Sequence, residues 1–156
     1  MEFSSSLATD PVRSLPLREP PRISGSYSAS AAIAAMRDKE LGCAVIVDDQ
    51  GIPEGIFTER SVIQILSEGR SLDVCTVRQC ADSHFVVVRE EDPVSVVWNA
   101  ICNEHTRFVC VTDAEGKLVG LTGQRGMSEY VSECFPWQVA VQRLGATPWD
   151  QQREGA

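Results

Sequence analysis

The sequence predicts an α/β (α+β) fold in which two β-α-β-β-α repeats pack with pseudo-two-fold symmetry. Two observations support this fold class. The phrase GIFTERSV at residues 55–62 returns in altered form as GLTGQRGM at residues 120–127. The gapless shift of 65 residues that superimposes these phrases also aligns apolar positions between residues 23 and 66 with their counterparts in the second half. A register held over this length indicates an internal duplication.

The shift pairs identical residues in the turns and at the start of the last helix of each repeat. The identical pairs are Asp48 with Asp113, Gly51 with Gly116, Gly55 with Gly120, and Arg60 with Arg125. The apolar pairs include Ile23 with Val88, Ala32 with Val97, Met36 with Ile101, Val45 with Cys110, Ile56 with Leu121, and Ile65 with Tyr130. We therefore expect the two halves to share one chain path.

The first repeat reads as strand, helix, strand, strand, helix. RIS at 22–24 is a short strand, and residues 28–40 form a helix because apolar residues recur there every three or four positions. CAVIVD at 43–48 is a buried strand, and PEGIF at 53–57 is its hairpin partner. The repeat ends with a helix from about Glu59 to Ser67.

The second repeat is predicted to have the same order. Its elements are HFVVV at 84–88, DPVSVVWNAICNEH at 92–105, FVCVTD at 108–113, KLVGLT at 117–122 and QRGMSEYVSE at 124–133. Pro93 suits a first helical position because no hydrogen bond is lost there. The hairpin turns DDQG and DAEG end in glycine, which accepts a positive φ. A half of about 60 residues buries too little surface alone, so we expect both sheets to share a core through their helices.

Composition and charge limit the classes of function. With 14 basic and 22 acidic residues the net charge is −8, which disfavours binding to a nucleic-acid backbone. We find neither a secretion signal nor an apolar run of about 20 residues, so no membrane segment is expected and we predict a cytoplasmic protein. The six cysteines are expected to be reduced thiols, mostly buried.

The repeated phrases resemble the paired cystathionine-β-synthase (CBS) domains, also called Bateman modules. VIVDDQGIPEGIFTERSV and VCVTDAEGKLVGLTGQRGM are similar to the two motifs of that family, in which an apolar strand ends in Asp and Thr-x-x-Asp opens a helix. The resemblance covers residues 15–135 and implies a tandem CBS-domain pair. It implies a regulatory module rather than an enzyme, a homodimer, and an unidentified effector protein as partner.

The resemblance also implies a ligand in the clefts between the motifs, either an adenosine nucleotide (AMP, ADP or ATP) or S-adenosylmethionine. The motif positions carry Thr58 and Ser61 in the first repeat and Gly123 and Gly126 in the second. The family's ribose-binding Asp is therefore missing from both. The two glycines either make room for a different anion or relax an unused site. A homodimeric interaction module that needs no ligand is the alternative function.

Three arginines are the other predicted ligand contacts. Arg60 and Arg125 occupy the same place in the first helical turn, where a helix N-terminus attracts phosphate. The alternative is an ion pair with a neighbour such as Glu59 or Glu129. Arg107 precedes the second central strand, where the family often has a phosphate-facing basic residue. Thr58 is equally explained as a helix cap.

Metal and nucleophile chemistry find little support. Cys102 with His105, and Cys80 with His84, have spacings that metal sites use, but no Cys-x-x-Cys pairs supply a structural zinc site. No catalytic residue or metal ligand is predicted. We divide the chain into a flexible segment at 1–15, a first motif at 16–70, a second at 71–135 and a tail at 136–156. Trp137 and Trp149 suggest that this tail docks on a surface.

Overall fold

A computed structural model describes residues 3–82 and 84–136 of the chain. The elements in chain order are α1 (Phe3–Thr9), β1 (Arg22–Ile23), α2 (Ala29–Asp38), β2 (Cys43–Val47), β3 (Pro53–Thr58), α3 (Glu59–Ser67), α4 (Val77–Cys80), β4 (Val86–Arg89), α5 (Val94–Cys102), β5 (Phe108–Thr112), β6 (Leu118–Gly123) and α6 (Gln124–Cys134). The predicted α/β repeats are confirmed, and α1 and α4 are additional helices that the sequence analysis missed. The two Trp residues of the tail lie outside the described residues.

The two repeats form two sheets of identical topology. Each has three strands, in the orders β1-β2-β3 and β4-β5-β6. In each sheet the first strand pairs parallel to the second and the second pairs antiparallel to the third. The antiparallel register shifts between Ile46 and Val47 in one sheet and between Val111 and Thr112 in the other. The irregularity recurs at the 65-residue shift, as expected of a duplicated half-domain.

The hairpin turns have the predicted glycine conformation. Gly51 and Gly116 both have φ of 84°, in the left-handed region that glycine adopts at little cost. The Asp48 carboxylate accepts hydrogen bonds from the amides of Gln50 and Ile52, at 2.8 and 2.9 Å. Asp113 holds the second turn through the equivalent pair of bonds. Turn geometry thus explains two of the identities that revealed the repeat, Asp48 with Asp113 and Gly51 with Gly116.

One core cluster joins the two halves. Its buried members come from both sheets: Cys43, Val45, Ile56, Cys110, Leu118 and Leu121. Two further clusters lie within the individual repeats and include residues of their helices. The sheets therefore meet through strand side chains, and the expectation that they meet through helices was wrong. The strands are buried on two faces, which explains their continuous apolar runs.

The N-terminal segment is part of the second repeat's core. Leu7, Val12 and Leu15 are buried in one cluster with Val94 and Tyr130. The Val12 amide donates to the Asp92 carbonyl at 2.8 Å, which ties the segment to the start of α5. The prediction that residues 1–15 are flexible was therefore wrong for the residues described.

Aromatic and polar contacts hold α1 on the same surface. The Phe3 ring meets Trp98 and Phe135 edge-on, with centroids 5.3 and 5.1 Å apart. The Tyr130 hydroxyl lies 2.6 Å from the Asp10 carboxylate, and burial followed by this bond raises the Tyr130 pKa well above its usual range. The Ser-rich stretch around these apolar residues had hidden their helical spacing.

Each third strand is bordered by a connecting segment. Arg18 exchanges two backbone hydrogen bonds with Leu121 of β6, both 2.8 Å long. Asp82 makes the same exchange with Ile56 of β3, at 3.0 and 3.4 Å. Ile56 and Leu121 are equivalent in the repeat, so the two segments occupy equivalent places. These equivalent places carry residues of opposite charge, Arg18 beside β6 and Asp82 beside β3.

All six cysteines are free thiols, as predicted. Cys43, Cys75 and Cys110 are buried, Cys80 is half-buried, and Cys102 and Cys134 are exposed. Burial raises the pKa of Cys43 and of Cys110 to about 12. These two thiols therefore stay protonated and serve as small apolar core residues. Among the described residues, no helix has both the length and the apolar character needed to cross a membrane.

Leu7→Ala tests the structural role of α1. We expect the free energy of unfolding to fall by about 2 kcal/mol, because a buried leucine truncated to alanine loses transfer energy and leaves a cavity. Urea denaturation measures the change. Ser4→Ala, at an exposed position of the same helix, is the control and should change little. Equal stability of Leu7→Ala and the wild type would show that α1 does not contribute to the core.

Candidate ligand-binding clefts

Two clefts open beside the starts of the repeats' last helices. The first cleft, at the start of α3, has a volume of about 410 Å³ and is lined by residues that include Thr58, Arg60, Asp82, Glu104, His105 and Arg107. The second cleft, at the start of α6, has a volume of about 590 Å³ and is lined by residues that include Arg18, Lys39, Glu40, Arg107, Gly123 and Arg125. Both volumes are in the range of small-molecule sites.

The clefts are built from equivalent parts of the two repeats. Residues 39–42, after α2, line the second cleft, and residues 104–107, after α5, line the first. Glu40 and His105 are equivalent and have φ of 53° and 54°, in the left-handed region that costs a non-glycine residue roughly 1 kcal/mol or more. Each cleft thus combines a helix start from one repeat with a strained turn from the other.

Six of the seven predicted site residues line a cleft. Thr58 and Arg60 line the first, while Gly123, Arg125 and Gly126 line the second. Arg107 lies between the clefts and lines both. Ser61 is buried and is not among the lining residues. The structure brings these residues together, and their contact with a ligand stays a prediction.

The start of α3 is closed by its own side chains. The Ser61 amide donates to Thr58 Oγ1 at 3.4 Å, and the Thr58 amide donates to Ser61 Oγ at 3.2 Å. This reciprocal pair is a capping box, which satisfies helix-end donors that a ligand would otherwise use. The helix-cap interpretation of Thr58 is confirmed.

The start of α6 has no such cap. Gly123 occupies the cap position, and no side-chain hydrogen bond caps the helix within the part of the chain that the structure describes. Unpaired N–H groups in a first helical turn carry a partial positive charge and favour an anion. The two helix starts, equivalent in sequence position, therefore differ in what they offer a ligand.

The glycines of the second motif are required by close packing. A Cβ atom on Gly123 would lie 2.2 Å from the carbonyl oxygen of Arg107. A Cβ atom on Gly126 would lie 2.5 Å from Thr122 Oγ1 and 2.9 Å from the carbonyl oxygen of Pro16. Close packing therefore accounts for the lack of side chains at both positions, and the two alternatives that the sequence suggested for these glycines stay predictions.

Cations gather in the second cleft. Arg18, Lys39, Arg107 and Arg125 line it, and Glu40 is the carboxylate among the lining residues described. Glu129 on α6 forms ion pairs with both Arg18 and Arg125, the latter with a 3.3 Å distance from Arg125 Nε. The predicted alternative of an Arg125–Glu129 pair is thus confirmed. Because Arg125 remains largely exposed, this pair leaves guanidinium N–H groups for another anion.

The first cleft has a different charge balance. Glu59, Asp82 and Glu104 face it together with Arg60 and Arg107. Arg107 Nη1 lies 3.4 Å from Glu59 Oε2, and its guanidinium lies 5.1 Å from the Phe108 ring centroid. The second cleft has Lys39 at the position equivalent to Glu104 of the first cleft. It also has Arg18 beside its third strand, where the first cleft has Asp82. The duplication kept the shape of the clefts and reversed charges at two places.

Two buried polar atoms beside the second cleft lack partners. Thr122 Oγ1 and Arg18 Nε have no hydrogen-bond partner within residues 3–82 and 84–136. Thr122 and Arg18 both line the second cleft. A buried donor without a partner costs free energy, so both atoms favour an added acceptor.

The polar residues of the second cleft that the sequence analysis missed are Arg18, Lys39, Glu40, Thr122, Gln124 and Ser128. Lys39 and Glu40 could have been found from the repeat. The 65-residue shift aligns them with Glu104 and His105, which lie just before the predicted contact Arg107. Arg18 could not have been found in this way, because its place depends on the connecting segment that crosses β6. Within the described residues no group of three or more His, Cys, Asp and Glu side chains is arranged to hold a metal ion.

A sequence model of the CBS domain matches residues 12–68 of the chain. Residues 12–68, which include the first repeat, are therefore similar to a CBS domain. An uncharacterised protein of Methanopyrus kandleri is 31% identical over 102 residues, which are 64% of this chain and 52% of the relative. The chain therefore spans about half the length of the curated relative that it matches.

Solved CBS structures confirm the paired fold. A CBS domain protein of Pyrobaculum aerophilum complexed with AMP has a TM-score of 0.70 and 21% identity, over 87% of this chain and 99% of that chain. A CBS domain pair in complex with 5′-methylthioadenosine and S-adenosyl-L-methionine has a TM-score of 0.70 and 18% identity, over 80% and 98% of the two chains. At these identities the likeness shows the fold of this CBS pair.

Gly126→Ala tests the crowding at the start of α6. At an open helical position this change stabilises a protein by about 0.5–1 kcal/mol. Here we expect a loss of about 1–3 kcal/mol, because the new methyl group meets backbone at Pro16. Urea denaturation gives the sign. Ser132→Ala, at an exposed position of α6, serves as the control. Greater stability of Gly126→Ala would contradict the crowding.

Proposed function

We propose that this CBS pair is a non-enzymatic regulatory module that binds an adenine nucleotide or a related small anion in its second cleft and acts on a separate partner protein. The uncapped start of α6, surrounded by Arg18, Lys39, Arg107 and Arg125, is the observation that carries this proposal. Helix-end N–H groups and nearby cations attract the same anion, and their effects add.

The second cleft suits binding rather than catalysis. Its arginines offer several N–H donors in a fixed planar arrangement that matches phosphate, and they are not nucleophiles. Glu129 orients two of them before any ligand arrives. Preorganised side chains lose less conformational entropy on binding, which improves affinity.

Within this proposal, Arg107, Arg125 and the backbone at Gly123 and Gly126 are the ligand contacts. Thr58 and Ser61 hold their own helix start, and Arg60 faces a cleft with three carboxylates, so the first cleft is the weaker anion site. The AMP, 5′-methylthioadenosine and S-adenosyl-L-methionine complexes of similar folds support an adenosyl ligand class. They do so by likeness of fold alone.

Arg125→Ala and its equivalent, Arg60→Ala, form a matched pair of variants. By calorimetry we expect wild-type protein to bind ADP, ATP or AMP, and Arg125→Ala to weaken these nucleotides about tenfold. A hydrogen bond to a charged group contributes roughly 1.5–3 kcal/mol, and solvent exposure favours the lower end. Lys39→Ala should act in the same direction.

Arg60→Ala should bind nucleotide within about twofold of wild type. Folding of each variant is checked by circular dichroism. A larger loss with Arg60→Ala than with Arg125→Ala would place the ligand in the first cleft. A folded wild-type protein that binds none of the anions would refute the proposal.

A homodimeric interaction module is the second candidate function, and exposed apolar side chains on the helices favour it. Ile63 and Leu66 of α3 are 68% and 56% exposed. An apolar groove of about 350 Å³ between α5 and α6 is lined by Trp98, Ile101, Met127 and Val131, among others. A two-fold axis would place the α3 ridge of each copy against the α5–α6 groove of the other, which makes the contact self-complementary.

Leu66→Glu tests this contact. We expect the wild type to sediment as a dimer and Leu66→Glu as a monomer, because a charge in an apolar interface is desolvated without a partner. Val74→Glu is the control, since Val74 is 79% exposed but lies in the segment between α3 and α4. A monomeric wild type, or equal loss of the dimer in both variants, would contradict this interface.

A further inference from the structure

We propose that the second cleft recognises the phosphate groups of its ligand and does not read the ribose hydroxyls. The ligand class is then an anion with two or more phosphates, to which a nucleoside contributes little. This inference rests on the proposed function and narrows it. It is argued from the hydrogen-bonding groups that the cleft presents.

The start of α6 has no place for a hydroxyl-reading carboxylate. Two neighbouring ribose hydroxyls both donate, and one carboxylate is the side chain that accepts two such bonds at once. The first turn of α6 is Gln124, Arg125 and Gly126. At Gly126 the first side-chain atom would already meet the Pro16 carbonyl oxygen at 2.9 Å. The segment that crosses β6 therefore occupies the space of any acidic side chain there.

The groups that do face the cleft are overwhelmingly donors. They are the uncapped amides of α6, the four cationic side chains and the Thr122 hydroxyl, while Gln124 and Ser128 add groups that both donate and accept. Thr122 is only 5% exposed and its hydroxyl has no partner in the described part of the chain. Phosphate oxygens are acceptors without a competing donor at neutral pH. Ribose hydroxyl oxygens can also accept from these donors, but their O–H groups find few acceptors here, so the donor surplus matches phosphate better than ribose.

Glu40 is the one carboxylate of the cleft's described lining, and it opposes this inference. Its carboxylate can accept hydrogen bonds, and its strained turn places it beside Lys39. Glu129 pairs with Arg18 and Arg125, and Glu59 pairs with Arg107. With Glu40, three carboxylates therefore stand against the four cations, so Glu40 lowers the positive charge of the cleft but does not cancel it. We infer that Glu40 weakens the binding of highly charged anions. If Glu40 bound the ribose, it would instead strengthen the binding of nucleotides.

Calorimetric titration of the full chain with ADP, 2′-deoxyADP, AMP and inorganic pyrophosphate tests the inference. We expect 2′-deoxyADP to bind within about twofold of ADP, pyrophosphate within about tenfold of ADP, and AMP more weakly than ADP. Pyrophosphate separates a free phosphate ligand from a nucleotide. A tenfold or greater loss for 2′-deoxyADP, with ADP bound, would overturn the inference and leave the proposed function intact. Failure of all four anions would overturn the proposed function itself.

Glu40→Gln supplies the second arm. Loss of a negative charge should strengthen ADP and 2′-deoxyADP alike, by about two- to fivefold at low salt. If Glu40 reads the ribose, the variant instead weakens ADP and leaves 2′-deoxyADP unchanged. Thr122→Val, which keeps the shape of the side chain, should weaken pyrophosphate severalfold. Unchanged pyrophosphate affinity in this variant would remove Thr122 from the site.

Discussion

The contact between the two sheets is the constraint on which the rest of the molecule depends. Cys43, Val45 and Ile56 from one half meet Cys110, Leu118 and Leu121 from the other, and all six are buried. A half-domain alone would expose this face, since its own helices cover the other one. Hydrogen bonds reinforce the contact, because the Leu118 amide donates to the Gly51 carbonyl at 2.9 Å and the Arg22 side chain donates through Nη1 to the Leu118 carbonyl at 2.7 Å. Burying the strand faces together also fixes where the clefts lie, since each takes one wall from each half.

Competition between helix capping and anion binding distinguishes the two clefts. The first-turn amides of a helix require partners, and Thr58 with Ser61 supplies them internally at α3. At α6 the same positions are Gly123 and Gly126, whose lack of side chains is enforced by Arg107, Thr122 and Pro16. A helix cap contributes about 1 kcal/mol, so its loss at α6 is a small cost that an anion offsets when bound. The second cleft has Lys39 and Arg18 where the first has Glu104 and Asp82. This difference in charge also favours an anion in the second cleft.

Much of the fold followed from the sequence because periodicity and turn chemistry are local. The strand and helix order, the glycine turns and the helix from Glu59 to Ser67 all agree with the structure. Contacts that depend on chain crossing did not follow. The burial of Leu7 and Val12 requires α5 and α6 as partners, and nothing in a Ser-rich stretch reveals those partners. For the clefts, the motif pointed to the two helix starts. It gave no sign that Pro16 fills the space beside Gly126 or that Arg18 borders β6, because both come from a segment over 100 residues away in sequence.

The position of the second cleft also explains how a bound anion would affect a partner protein. Its walls include Lys39 and Glu40 from the first repeat, Arg125 from the second, and Arg18 from the segment that joins β6 to the first sheet. A ligand shifts a conformational equilibrium only as far as its affinities for the two states differ. An anion held by cations from both repeats has its best affinity at one spacing of those repeats, because each electrostatic contact weakens as the walls separate. The first cleft, with mixed charges and a capped helix, has no comparable preference. Regulation through this module would therefore be asymmetric. A ligand in the second cleft would fix the spacing of the two repeats, and the shape of the first cleft would change with that spacing.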